Sequence, residues 1–203
     1  MILKYFFLIL LLLFSKSYAV PVLSTTDIIA DNSRSHFMAM NGTGILENGN
    51  TKYTENGITI ELVNHGSNTF NAGFAYMGGG NTGYVRLKMA NSEDFQSVGF
   101  LHGSGGSSNW GDWSLYNDGQ LVASGTFYVG YGGYNPNHSY YSTGKGYLGF
   151  TGGGFDEIRV RDNYSPPNSA FGLHTIEVAN VTVPETSTLF LCLIGLFLLF
   201  YRR

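Results

Sequence analysis

The sequence predicts an all-β chain: an antiparallel β-sandwich of jelly-roll kind, preceded by a signal peptide and followed by a C-terminal transmembrane helix. Three observations lead there. Apolar and polar residues alternate in short runs, the period of half-buried strands. Turn residues separate the runs, with 28 Gly in 203 residues. The two helix-length apolar runs lie at the extreme ends, and no window between them carries a long 3.6-residue stripe.

The first element is the N-terminal signal. Lys4 stands before an apolar run from Tyr5 to Phe14, and "SKSYA" follows, with the small residues Ser17 and Ala19 flanking Tyr18. Charge, apolar core and small-x-small site make residues 1–19 a secretory signal, cut by signal peptidase after Ala19. An uncleaved N-terminal anchor is the alternative, and the Ser-x-Ala site argues against it.

Residues 20–182 follow as one domain, long enough to bury a sizeable core. Residues 20–183 carry seven Lys and Arg against thirteen Asp and Glu, a net of −6. An acidic segment with scattered charge suits neither nucleic acid nor anionic lipid, so no nucleic-acid partner is expected. The single cysteine, Cys192, lies in the C-terminal apolar run, so the domain holds together by packing rather than by disulfides.

Nine runs in this domain read as strands. They are "ITIELVN" at Ile58–Asn64, then "AGFAYMG", "GYVRLKMA", "QSVGFLHG", "DWSLYND", "QLVASGTFYVG", "GYLGFTG", "FDEIRVRD" and "FGLHTIEVANVTV". In "YVRLKMA", Val85, Leu87 and Met89 share one face, and Arg86 and Lys88 the other. "FDEIRVRD" read as one strand puts Phe155, Glu157, Arg159 and Arg161 together, with Glu157 and Arg159 as an ion pair on a solvated face. Asp118-Gly119 in "YNDGQ" marks a hairpin, because a type I′ turn needs two residues at positive φ. The polar stretch Thr25–Gly57 is expected to supply one edge strand and loops.

The last element is residues 183–203, with a helix at about 186–201. Leu189–Tyr201 is uncharged and Arg202 and Arg203 follow at once, a minimal span whose arginines can reach the headgroups. The terminal arginines hold that end in the cytoplasm and leave the domain outside.

Val183, Pro184, Glu185, Ser187 and Thr188, the apolar helix, and Arg202 with Arg203 together resemble the C-terminal sorting signal of the PEP-CTERM protein family. Thr186 stands where that family usually has a second proline. The resemblance covers about the last twenty residues and implies an address rather than an activity. It implies a Gram-negative protein held briefly in the inner membrane, cut near the motif by an exosortase, and passed to the envelope, cell surface or extracellular matrix of an exopolysaccharide-forming, biofilm-forming bacterium. A plain C-terminal anchor is the alternative.

The chemistry-bearing residues are sparse. His36, His65, His102, His138 and His174 lack the close spacing of a zinc site, so no metal site is assigned. No Ser-His-Asp or Gly-x-Ser-x-Gly arrangement is seen, and the domain reads as non-enzymatic with no cofactor. Structural calcium is the one ion left open, since "YNDGQ", "FDEIRVRDN" and "NSEDF" offer oxygen ligands without EF-hand spacing. The aromatic residues are the most suggestive: Trp110 and Trp113 beside Asp112, with Tyr128, Tyr131, Tyr134, Tyr140, Tyr141 and Tyr147 in a Gly-rich stretch, could stack on sugar rings.

The expectation is a structural or adhesive protein associated with exopolysaccharide. Two other readings stay open: a carbohydrate-binding module built on those aromatics, and a glycan-active enzyme using a carboxylate pair such as Asp112 with Asp156.

Overall fold

The computed structural model describes residues 21–25, 29–40, 42–49, 51–64, 67–71, 74–78, 83–104, 109–129, 146–162 and 170–179, all within one compact unit, Ala19–Asn180. The expected signal peptide, ending at Ala19, and residues 183–203, where a helix was expected, lie outside the described residues. Among the described residues no helix is long and apolar enough to cross a membrane.

The described chain is nearly all β, in two antiparallel sheets of seven strands each. The first sheet runs β1 (Val22–Ser24), β12 (Tyr147–Phe155), β9 (Phe95–Ser104), β14 (Ala170–Ala179), β7 (Phe74–Gly78) and β6 (Ser67–Asn71). In that sheet β2 (His36–Met38) also pairs with β14. The second runs β11 (Gln120–Val129), β10 (Asn109–Asn117), β13 (Glu157–Asp162), β8 (Tyr84–Met89), β5 (Ile58–Val63), β4 (Lys52–Glu55) and β3 (Ile45–Glu47). The nine runs picked out by alternation coincide with β5 and with β7 to β14.

Alternation places the core. On β5 and β8 the buried positions are Ile58, Ile60 and Leu62, and Val85, Leu87 and Met89. Opposite them the first sheet contributes Phe95, Val98 and Phe100 from β9 and Leu148 and Phe150 from β12, in one continuous cluster. Tilted or edge-on rings 5.7–6.4 Å apart link Phe95, Phe100, Phe150 and Phe155. Each fully buried Phe contributes about 1.5–3 kcal/mol of burial, and this aromatic layer lines the first sheet's side of the core.

Two turns are set by residue type. Asn56-Gly57 and Asp118-Gly119 both adopt positive φ (48° and 79°, 49° and 77°), and each joins its strands as a two-residue hairpin. A third special segment is Gly152–Gly154, with φ of 107°, 70° and 74°, where β12 slips register against β9 between Thr151 and Phe155. Only glycine takes three such angles in succession without strain.

The structure corrects two expectations. Thr25–Gly57 supplies β2, β3 and β4 rather than one edge strand. These strands are three or four residues long, too short for alternation to register, although two Asn-Gly pairs, Asn48-Gly49 and Asn56-Gly57, mark their turns. "FDEIRVRD" is not one strand: Phe155 closes β12 in the first sheet and Glu157 opens β13 in the second. The chain crosses at Asp156, whose N–H donates to Tyr116 O at 2.9 Å. Phe155 therefore lies in the core, apart from Glu157.

Candidate functional site

The β10–β11 hairpin decides which of the expected aromatics face outward. Residues two apart on a strand share a face and residues three apart do not. Trp110 and Trp113 are three apart, so they separate. Trp110 is 58% exposed and meets Tyr128 of β11 edge to face, ring centroids 5.6 Å apart. Register pairs the two residues directly, Trp110 with Tyr128. Trp113 turns inward and packs 5.0 Å from Phe150 of the opposite sheet. Gly125 makes room for the indole: a Cβ there would lie 2.7 Å from Trp113 Cζ2. Trp113 is thus a half-buried residue packed against the core, on the opposite face of the strand from Trp110. Tyr131, Tyr134, Tyr140 and Tyr141 lie outside the described residues.

Asp112 shares the outer face with Trp110. Arg161 of β13, its register partner, donates to Asp112 Oδ2 from Nε at 3.0 Å and from Nη2 at 2.7 Å. Ser124 and Thr126 of β11 are exposed at the neighbouring register positions, opposite Ser114 and Asp112. The result is a small surface with two rings, a fixed guanidinium–carboxylate pair and hydroxyls. Of the aromatics the sequence offered, Tyr128 is exposed and Tyr147 is buried, only 4% exposed. Arg161 was not among the binding candidates, and strand parity, Arg159 with Arg161, is the signal that points to it.

The same face continues across the sheet as an ionic ladder. Glu157 is only 3% exposed yet charged, and it accepts from Arg159 Nε and, at 2.7 Å, from Lys88 Nζ. Burial pushes the Glu157 carboxyl up, but the hydrogen bonds from Lys88 and Arg159 outweigh it and hold the group below the usual carboxylate range. The expected Glu157–Arg159 pair is therefore present, but its carboxylate is buried rather than solvated. The guanidinium of Arg159 lies 3.9 Å from the Tyr116 ring centroid and 5.0 Å from that of Tyr84, a cation–π contact on each side. Beyond it, Arg86 donates to Glu61 at 3.0 Å through Nε, and Lys52 pairs with Glu47 at 2.6 Å. Burial works against the charged forms of Arg86 and Arg159, and their carboxylate partners still raise both above the ordinary arginine value.

The other expected constellations are dispersed. Asp112 pairs with Arg161 while Tyr116 pairs with Glu157, which puts Asp156 five residues along the ladder from Asp112. That is about 17 Å at the strand rise, against the ~5–10 Å that paired glycosidase carboxylates need. Among the described residues no group of three or more His, Cys, Asp or Glu is placed to hold a metal ion.

The fold and this face define an antiparallel β-sandwich with an aromatic and ionic outer surface on one sheet. No protein-family model matches the chain, and no curated protein matches it.

Proposed function

We propose that the protein is an exported, exosortase-processed surface or matrix protein, non-enzymatic, whose jelly-roll-like sandwich has a structural or adhesive role against exopolysaccharide. The address is carried by residues 1–19 and by Val183–Arg203, and the contact by the outer face of the second sheet. One observation carries the contact: Trp110 and Tyr128 stand exposed beside a fixed Asp112–Arg161 pair. Aromatic faces stack on the C–H faces of sugars, and adjacent polar groups satisfy hydroxyls.

Two measurements test the reading. Intact mass of the full chain, expressed with and without an exosortase, reads the address. Loss of residues 1–19 together with everything near and after Pro184 is expected, and retention through Arg203 would show a plain anchor. Cosedimentation with matrix polysaccharide reads the contact, which Trp110→Ala is expected to weaken while leaving the fold intact. The Arg161–Asp112 pair, with Nε and Nη2 both donating to Oδ2, favours a second, narrower reading, a carbohydrate-binding module with a defined sugar site. Saturable binding to one glycan of an array, lost in Trp110→Ala, would select it.

A further inference from the structure

We propose that the polysaccharide held by this face is acidic, a uronate-type or otherwise anionic glycan, bound across β11, β10, β13 and β8. The inference rests on the glycan-contact reading above and adds the chemical class of the ligand.

Charge segregation carries it. Of the seven Lys and Arg between residues 20 and 183, five stand in the ladder of the second sheet: Lys52, Arg86, Lys88, Arg159 and Arg161. Their carboxylate partners there are four, Glu47, Glu61, Asp112 and Glu157. The ion-paired ladder therefore has a net of +1, while the other charges of that segment, two cations against nine anions, have a net of −7. A polyanion meets repulsion from most of the chain's charge and attraction at this one face.

The arrangement within the face points the same way. Arg159 and Arg86 are direct register partners, like charges set opposite each other. Such a pair is unfavourable on its own. Glu157 serves two cations, Lys88 and Arg159, so one of the three charges is in excess at the centre of the sheet. Arg161 and Lys88 are the most open of the group, with side chains 50% and 40% exposed. A carboxylate on a ligand can take their outward N–H groups without breaking the internal pairs. Along the strands the ring pair Trp110–Tyr128, then Arg161, then Arg159 succeed one another at about 7 Å, two residues per step. Stacking sites and cations that succeed one another on adjacent strands of one face suit a chain of sugar rings bearing acid groups.

The test titrates the full-length protein with polygalacturonate, with neutral dextran and with a single-stranded DNA oligonucleotide, at low and at high salt. Tight binding of polygalacturonate that weakens with salt, little binding of dextran, and weaker binding of DNA are expected. Arg161→Gln combined with Lys88→Gln should weaken polygalacturonate about tenfold or more, with the melting temperature checking that the sandwich is intact. The salt dependence of the unaltered protein gives the same answer without any variant. Dextran bound as tightly as polygalacturonate, with the charge variants silent, overturns the inference and leaves the glycan-contact reading standing. DNA bound as tightly as polygalacturonate overturns it too, since the face would then read charge alone. Failure to bind either polysaccharide overturns both.

Discussion

His102 makes the sandwich acid-labile in a defined window. It lies on the inner face of β9, only 2% exposed, with its ring edge-on to Phe127 of the opposite sheet at 4.9 Å. Burial lowers its pKa from 6.5 to about 4, partly offset by a hydrogen bond with the Tyr147 backbone. The folded protein therefore holds His102 neutral where the unfolded chain protonates it. Stability from this residue is whole above pH 6.5, falls as pH drops, and is fully lost below about pH 4. The interval between the two values corresponds to about 3 kcal/mol, a sizeable share of the ~5–15 kcal/mol that stabilises a domain.

Urea unfolding at pH steps through that window measures it, with His102→Leu as the comparison. The variant loses the Tyr147 contact at every pH, a constant offset, and should lose the slope. His174 is also lowered by burial and titrates in both proteins, so the difference between the curves isolates His102. Glu157, held below its ordinary value, loses its contribution only as pH falls through and below about 4.5 in both. Parallel curves for the two proteins between pH 6.5 and 4 would refute the reasoning.

Three further outcomes are expected. Glu55 is buried and accepts from the N–H groups of Ala39 (3.1 Å) and Met40 (3.0 Å) and from Tyr53 Oη (2.6 Å), so Glu55→Gln should cost about 1–3 kcal/mol and several degrees of melting temperature. Gly153→Ala places a Cβ at φ +70°, 2.7 Å from Gln96 Oε1, and should cost about 1–2 kcal/mol by chemical denaturation. Trp113→Ala should cost about 2–4 kcal/mol, whereas Trp110→Ala should change stability by less than about 0.5 kcal/mol. Equal losses for the two tryptophans would mean that Trp110 is a packing residue and that the exposed platform is wrong.

Much of the fold was legible because alternation is a local property. Val85, Leu87 and Met89 announce their shared face from spacing alone, and Asp118-Gly119 announces its turn. The short strands β2, β3 and β4 escaped because three residues hold barely one period, and their positions come from partners far along the chain: His36–Met38 is held by Ile176–Val178. Phe155 was misplaced for a related reason, since spacing continues smoothly through Asp156 while the chain changes sheet there. The candidate site was half legible. Strand parity already separates Trp110 from Trp113, but which of them faces water depends on which side the other sheet covers.

The sequence by itself determined the β class, most strand positions and the hairpin chemistry, since each rests on residue type and spacing along the chain. Only the tertiary structure decided that Trp113 packs on Phe150, that Tyr128 completes the exposed pair with Trp110, and that five dispersed cations gather on one face. Those facts depend on register between strands as far apart in the chain as β4 and β13, and register is set by how the two sheets bury their apolar faces against each other.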